Sequence, residues 1–364
     1  MLDTDKFVKS LIEQGYTHLC VVPCSFAKDV INSAINNSDL IEYFPCASEA
    51  VACSTAAGLK MAGESPIVIV QSSGLTNMGS CITTLLVPYE IRFPIIVSWR
   101  TYKEGDSEIQ HQHLATRLPN LIDLYGYTCT ILNRNSVELA ITQIKECETK
   151  NQICVLEENT FLKIDLNKEH QLDLSQYPKR SEYLKILNRY FKEINVLFIG
   201  TTGNTSREMY LFMPNTSNFY MVGNMGGALS IGLGMAKAGK KVIVCGGDAE
   251  FVMHMGGLAT TGRYSSEIKL TYLLFDNESN KSTGGQCTYQ DNVGYLAIAS
   301  SLGFNIFESI ITNLSSFDKA LKFTYDSKKA SVLHIKCSYD SKISRPPRNL
   351  IRDWKKIIPN INKL

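Results

Sequence analysis

The sequence has no marked excess of charge and no long apolar run, and each absence excludes a class of protein. Its 37 basic and 35 acidic residues leave a formal net charge of +2, too small for the field that attracts nucleic acid or an anionic membrane. No basic stretch is interleaved with aromatic residues, and no apolar run approaches the length of a membrane span. We therefore expect a protein that binds neither nucleic acid nor a membrane.

The eleven cysteines include no CxxC pair, so the sequence offers no zinc site of that type. Most of them lie in apolar runs, where a free thiol behaves as a small core residue. The stretch MLDTDKFVKSLIEQG has acidic residues where a signal peptide requires an apolar core. We expect reduced thiols and a cytoplasmic location.

Short β-branched runs alternate with helical patterns along the chain, which is typical of parallel sheets covered by helices on both faces. Three helices are expected: Asp5 to Glu13 after a Thr4 cap, Glu49 to Met61 before a stop at Gly63, and a helix from Ser136 towards Glu148. The expected strands are His18 to Val22, Pro66 to Gln71, Phe93 to Ser98, Tyr127 to Leu132, Ile153 to Glu157, Val196 to Gly200, Phe219 to Val222, Lys241 to Cys245, Leu270 to Asp276, Asn305 to Ser309 and Val332 to Lys336.

The alternation is interrupted by a polar, irregular stretch from Ile164 to Arg180. A chain of 364 residues is long enough for two domains that each bury a core. We therefore predict an α/β fold of two doubly wound parallel-sheet domains without a middle domain. The predicted domains are residues 1–165 and 180–364, joined by a linker of residues 166–179.

Two apolar strands of the second half end in hard oxygen ligands. In the segment KVIVCGGDAEF the predicted strand is followed by Asp248, and in the segment LTYLLFDNES the predicted strand is followed by Asn277. Ligands of open α/β sheets gather at this carboxyl edge, carboxylate and amide oxygens suit Mg²⁺ or Ca²⁺, and the turn before Phe251 offers backbone N–H groups to an anion. Taken alone, Gly247-Asp248 and Asp276-Asn277 are also common as turns or helix caps.

Together these motifs resemble the thiamine-diphosphate fingerprint of the phosphonopyruvate and sulfopyruvate decarboxylases. The resemblance runs from about Tyr16 to Gly303, and its motifs occur in the family's order. They are VVPCSFAKDV, CASEAVACSTAAG, VQSSGLTNMGS, SWR, IQH, GTTGNTSREMY, YMVGNMGGALSIGLGMA, GGDAEFVMHMGGLATTGRY and LLFDNESNKSTGGQ. The family fold is the one predicted above, with a pyrimidine-binding first domain and a diphosphate-binding second domain.

The resemblance implies thiamine diphosphate and Mg²⁺ as cofactors. Glu49 is the implied proton partner of the aminopyrimidine ring, although an acid beginning an apolar helix could also serve only the helix dipole. The implied metal ligands are Asp248, Asn277 and Ser279. The implied cofactor-binding residues are Gly223, Met225, Thr201, Thr202, Gly247, Ala249, Glu250, Asn77 and Ser282. Ser25, Gln110 and His111 join Glu49 in the catalytic set.

Three departures from the family pattern bear on affinity and substrate. Gly247-Asp248-Ala249 stands where Gly-Asp-Gly is usual, and Glu250 stands where a small residue is typical. A negative charge close to the diphosphate is expected to weaken cofactor binding. The motif Pro23-Cys24-Ser25 resembles that of the sulfopyruvate decarboxylases. The motif Ser282-Thr283-Gly284-Gly285-Gln286 resembles that of the phosphonopyruvate decarboxylases.

The implied reaction is decarboxylation of a small 2-oxo acid that carries a phosphonate or sulfonate group. Phosphonopyruvate is the first choice, giving phosphonoacetaldehyde and CO₂ for phosphonate biosynthesis. Sulfopyruvate, another 2-oxo acid or carboligation are alternatives, and a non-catalytic regulatory relative is the alternative of another class. The resemblance also implies a homodimer or a higher homo-oligomer with active sites shared between chains.

Overall fold

The computed structural model describes residues 1–102, 109–192, 194–214, 218–339 and 343. They form two compact units, the first of residues 1–171 with 280–287 and the second of residues 172–279 with the described residues from 288 onwards. The segment Asn280–Cys287 thus groups with the first unit and not with the predicted second domain. Within it the buried Gln286 side chain donates through Nε2 to Asn32 Oδ1 at 2.8 Å.

The first unit is a six-stranded parallel sheet with the strand order β2-β1-β3-β4-β6-β5. Its strands are β1 (His18–Val21), β2 (Glu42–Pro45), β3 (Pro66–Gln71), β4 (Ile95–Ser98), β5 (Thr128–Ile131) and β6 (Gln152–Leu156). Its helices are α1 (Thr4–Glu13), α2 (Lys28–Asn36), α3 (Glu49–Met61), α4 (Ser72–Asn77), α5 (Gly79–Cys81), α6 (Gln112–Ala115), α7 (Leu118–Leu124) and α8 (Val137–Glu146).

Side-chain caps set several helix starts in this unit. Ser48 accepts from the N–H of Val51 ahead of α3, and Ser136 accepts from the N–H of Leu139 ahead of α8. The expected Thr4 cap of α1 is wrong, because Asp3 takes that position and accepts from the N–H of Lys6. Strand β2 was missed in the sequence because EYFP is largely half-buried and lacks the apolar character of the central strands.

The second unit is a six-stranded parallel sheet with the strand order β11-β12-β10-β9-β7-β8. Its strands are β7 (Leu197–Gly200), β8 (Phe219–Tyr220), β9 (Val242–Gly247), β10 (Leu270–Asp276), β11 (Asn305–Ile306) and β12 (Ser331–Lys336). Its helices are α9 (Arg180–Tyr190), α10 (Asn204–Phe212), α11 (Ala228–Lys237), α12 (Asp248–Met253), α13 (Met255–Arg263), α14 (Tyr295–Ser301) and α15 (Leu314–Asp326).

The two sheets share one topology. In each, the second strand in sequence pairs on one side of the first, and the third strand pairs on the other side. The strand order therefore reverses between β1 and β3 and again between β7 and β9, where open α/β sheets leave a crevice at their carboxyl edge. The sequence-based prediction of two doubly wound parallel sheets is confirmed.

Both faces of the second sheet are buried, because alternate residues of its central strands enter different clusters. Ile243 and Leu273 pack into one apolar cluster, whereas Val244 and Leu274 pack into the other. The first unit has a comparable buried cluster that joins α1, α2 and α8 to the sheet. In the described part of the chain, no helix is both long and apolar enough to cross a membrane.

Candidate active site

Glu49 lies at the start of α3, beyond the carboxyl end of β2, and is 3% exposed. Its Oε2 accepts a hydrogen bond from Asn77 Nδ2 at 2.9 Å. Gly74 borders the same carboxyl group closely, since a Cβ added there would overlap Glu49 Oε1. Asn77, predicted to bind cofactor, is thus placed to orient Glu49, and Gly74 is required by that close approach.

Ser25 and Arg100 follow strands β1 and β4 at the carboxyl edge of the first sheet. Arg100 Nη1 donates to Ser25 Oγ at 2.8 Å, and its guanidinium lies 4.6 Å from the centroid of the Phe26 ring. Among the described residues, the buried Arg100 Nε has no hydrogen-bond partner. An oriented guanidinium with a spare donor suits an anionic group.

The other predicted groups of the first unit lie on turns. Gln110 and His111 form a 3₁₀ turn, Ile109–His111, in which His111 is buried and Gln110 half-buried. Ser282 is exposed and belongs to the Asn280–Cys287 segment of the first unit. By this division Ser282 and Asn77 belong to the first unit, whereas the other predicted cofactor-binding residues belong to the second.

In the second unit, a tight loop between β8 and α11 carries Gly223 and Met225. Asn224 and Gly226 have positive φ angles of 54° and 90°, and the Gly227 N–H donates to the Asn224 carbonyl at 3.0 Å. Because two left-handed residues flank Met225, its half-buried side chain stands at the tip of the turn.

Asp248 and Asn277 follow the adjacent parallel strands β9 and β10, which pair up to Gly247 and Phe275. Asp248 is 4% exposed, and burial together with the neighbouring Asp276 raises its pKa to about 7. A divalent cation would restore the charged form of such a carboxyl.

Ser279 is the third predicted oxygen ligand of this candidate metal centre. Its buried Oγ has no hydrogen-bond partner among the described residues, and its N–H donates to Asn277 Oδ1 at 3.3 Å. Within those residues, no group of three or more His, Cys, Asp or Glu side chains could hold a metal ion. One carboxylate, one amide and one hydroxyl nevertheless fit Mg²⁺, which completes its shell with phosphate oxygens and water.

A network that was not predicted from the sequence holds the loop beginning at Asp276. His334 Nε2 and Lys336 Nζ lie 2.7 and 2.9 Å from Asp276 Oδ2, and Asp276 Oδ1 accepts from the Glu278 N–H at 3.1 Å. Burial opposes ionisation, but these hydrogen bonds keep the pKa of Asp276 below its ordinary value. No sequence motif marked this network, because the pairing of Asp276 with Lys336 follows from the register of β10 and β12.

Glu250 is turned away from solvent, at 4% exposure. Its Oε2 accepts from the Gly247 N–H and its Oε1 from the Ala228 N–H, both at 3.3 Å. Burial raises the pKa of Glu250 to about 7, against the opposing effect of Thr201 and of backbone N–H groups. Backbone N–H groups thus hold both oxygens of the Glu250 carboxyl group. These contacts explain the presence of Glu250 without a diphosphate.

The remaining predicted cofactor residues follow strand ends of the second sheet. Thr201 is buried and its N–H donates to the Cys245 carbonyl at 2.9 Å, while Thr202 and Ala249 are half-buried. The predicted site residues therefore form two groups, one in each unit. The first unit holds Glu49, Asn77, Ser25, Gln110, His111 and Ser282, and the second holds Thr201, Thr202, Gly223, Met225, Gly247, Asp248, Ala249, Glu250, Asn277 and Ser279.

Comparison with known families matches both units. Residues 4–116 match the N-terminal TPP binding domain of thiamine pyrophosphate enzymes, and residues 199–335 match their C-terminal TPP binding domain. The matched ranges include Glu49 in the first unit and Asp248 and Asn277 in the second.

Several relatives are similar over most of their length. The phosphonopyruvate decarboxylase of Streptomyces hygroscopicus is 30% identical over 84% of this chain and 80% of the relative, and that of Streptomyces viridochromogenes is 29% identical over 92% and 88%. The sulfopyruvate decarboxylase of Methanosarcina acetivorans is 26% identical over 78% of each chain. The chain thus belongs to the thiamine-diphosphate-dependent decarboxylase family that includes the phosphonopyruvate and sulfopyruvate decarboxylases.

Proposed function

We propose that this enzyme decarboxylates 3-phosphonopyruvate to phosphonoacetaldehyde and CO₂, with thiamine diphosphate and Mg²⁺, as a step of phosphonate biosynthesis. In this reaction the bond between the carboxylate and the carbonyl carbon breaks, CO₂ leaves, and a proton takes its place on that carbon. The observation that carries the proposal is the similarity to two phosphonopyruvate decarboxylases over at least four fifths of this chain.

The second unit would hold the diphosphate end of the cofactor through Mg²⁺. Asp248, Asn277 and Ser279 are the proposed metal ligands, and the Gly223–Gly227 loop with Met225 is the proposed support for the rings. When bound, thiamine diphosphate accepts the electron pair that departing CO₂ leaves behind. The protein residues bind and orient it and keep water away from the reacting carbon.

Glu49 is the proposed proton partner of the aminopyrimidine ring. Its Oε2 is held by Asn77, and its burial among apolar residues of α3 limits competition from water. A carboxyl group that shares a proton with a ring nitrogen must be fixed in direction, and the Asn77 hydrogen bond supplies that constraint.

Arg100 and Ser25 are the proposed contacts to the substrate's anionic head group. Arg100 is held by its hydrogen bond to Ser25 and by the Phe26 ring, while its buried Nε has no hydrogen-bond partner among the described residues. Phosphonate oxygens can accept two parallel N–H bonds from a guanidinium. Gln110 and His111, on the Ile109–His111 turn, are further proposed catalytic contacts.

Sulfopyruvate is the second candidate substrate, because a sulfopyruvate decarboxylase also matches 78% of the chain. Purified enzyme with thiamine diphosphate and Mg²⁺ would be assayed for CO₂ and aldehyde from each acid, with an added aldehyde acceptor to detect carboligation. We expect the higher kcat/KM with phosphonopyruvate. Preference for sulfopyruvate or a carboligation product would reassign the reaction, and cofactor binding without turnover of any 2-oxo acid would indicate a regulatory relative.

We also propose a homodimer, or a higher homo-oligomer, whose sites are shared between chains. The supporting observation is the division of the candidate residues, since each unit carries one part of the cofactor set at its own sheet edge. Closed point-group symmetry would then complete two sites at once.

A further inference from the structure

Glu250 is the third residue of α12 and connects the starts of two helices of the second unit. Its two carboxyl oxygens accept from different backbone N–H groups, that of Gly247 ahead of α12 and that of Ala228 at the start of α11. Both groups are among the first N–H groups of a helix, which have no partner within the helix itself. One side chain therefore satisfies a donor at each helix start.

These two helix starts adjoin the loops proposed to hold the cofactor. Ala228 directly follows the Gly223–Gly227 loop, and Gly247 directly precedes the metal ligand Asp248. The Tyr272 hydroxyl hydrogen-bonds to the Glu250 carboxyl group and fills the space that a Cβ at Gly246 would require. The carboxyl group is thus enclosed between the ring-supporting loop and the metal-binding loop.

We propose that Glu250 is a positioning residue, which holds the Gly223–Gly227 loop and the Gly247–Asp248 turn at a fixed spacing so that thiamine diphosphate and Mg²⁺ bind to preordered loops. This inference rests on the proposed cofactor and extends it to a residue that only orients the loops. Loops ordered in advance lose less conformational entropy on binding, so affinity is higher.

Two opposite effects of Glu250 on cofactor affinity can be told apart by their sign. If its charge acted mainly on the diphosphate, neutralising it in Glu250→Gln would tighten binding. If it positions the loops, Glu250→Gln would weaken binding, because the new NH₂ group would face one backbone N–H and leave it without an acceptor. Glu250→Ala removes both acceptors and would weaken binding further.

The experiment measures the dissociation constant of thiamine diphosphate at saturating Mg²⁺ for the wild type, Glu250→Gln and Glu250→Ala. We expect affinity about tenfold lower for Glu250→Ala, which corresponds to about 1.4 kcal/mol, because the loops must then become ordered when the cofactor binds. The change in kcat at saturating cofactor should be smaller. Phe317→Leu is the matched control, because Phe317 is fully buried in the cluster on the other face of the same sheet. It should lower the melting temperature without changing cofactor affinity.

Hydrogen exchange of the cofactor-free proteins gives a second readout. Peptides that contain Ala228 and Gly247 should exchange faster in Glu250→Ala than in the wild type, and not faster in Phe317→Leu. Tighter cofactor binding by Glu250→Gln, or unchanged affinity in both Glu250 variants, would overturn the inference. If the wild type itself fails to bind thiamine diphosphate, the proposed function fails too, whereas binding without turnover of phosphonopyruvate would overturn only the substrate.

Discussion

Asn77 donates through Nδ2 to Glu49 Oε2 at 2.9 Å, which links α4 to the first residue of α3 at the carboxyl edge of the first sheet. Glu49 is buried, whereas Asn77 is exposed. The amide thus reaches inward to hold one carboxyl oxygen, and Gly74 makes room for the other. This arrangement fixes the direction in which Glu49 presents its carboxyl group.

Glu49→Gln should retain the fold and cofactor binding but lose turnover by about 10²-fold or more, because an amide cannot share the required proton. Exchange of the C2 proton of bound thiamine diphosphate, followed by quenched NMR, should slow in parallel. Asn77→Ala is the companion variant, with an intermediate loss, since Glu49 remains but is no longer oriented. Wild-type exchange in Glu49→Gln would contradict the assigned role.

Removal of a proposed metal ligand should raise the Mg²⁺ concentration needed for cofactor binding. Asp248→Ala and Asn277→Ala each delete one hard oxygen donor from the edge between β9 and β10, so titration with Mg²⁺ at fixed thiamine diphosphate should shift to higher concentrations. Asp318→Ala is the control, because that carboxylate lies on α15 in a half-exposed pair with Lys322. Normal titrations for both ligand variants would place the metal elsewhere.

Mixing two inactive variants tests whether sites are shared between chains. Glu49→Ala alters only the first unit and Asp248→Ala only the second, so a mixed dimer with shared sites contains one unaltered site. Activity should return after subunits exchange, towards about a quarter of the wild-type rate if exchange is random and each intact site works alone. Exchange shown by mass spectrometry without any recovery would favour sites built within one chain.

Cys81 should react with iodoacetamide at unusually low pH. The neighbouring Cys53 thiol lowers the pKa of Cys81 to about 6 against the opposing effect of burial, and the Ser54 hydroxyl, 3.6 Å from the sulfur, adds to the lowering. Because the thiolate is the nucleophile, its alkylation rate should rise as pH increases through about 6 and level off above that value. Cys53→Ala should move the rise to higher pH, and an unshifted profile would show that Cys53 is not the cause.

Removal of one partner of the buried Arg180–Glu208 ion pair should strongly destabilise the second unit. They form a buried ion pair, with Arg180 Nε 2.6 Å and Nη2 3.1 Å from the carboxylate oxygens and side-chain exposures of 5% and 0%. Glu208→Ala leaves a buried guanidinium unpaired, so the free energy of unfolding in urea should fall by about 3–5 kcal/mol. Arg180→Met combined with Glu208→Ala should cost less than the sum of the single changes, and strict additivity would contradict coupling.

Several features were readable from the sequence because they depend on neighbours along the chain. The strands Pro66–Gln71 and Leu270–Asp276 and the helix Glu49–Met61 have the predicted bounds, since continuous apolar runs and a Ser48 cap define them locally. The alternation of strands and helices determined the parallel sheets. In parallel sheets of this kind, the carboxyl ends of all strands lie at one edge, which brought Asp248 and Asn277 to the ends of adjacent strands.

Only the tertiary structure decided which side chains meet. Glu250 accepts from Ala228 across 22 positions, and Gln286 donates to Asn32 across 254, which groups Asn280–Cys287 with the first unit. The residues next to Glu250 and Gln286 in the sequence do not indicate these partners, because a hydrogen bond between distant segments depends on how whole helices pack on a sheet. The sequence by itself thus determined the elements and the chemistry they carry, while packing decided that Glu250 faces inward and that Asn77 orients Glu49.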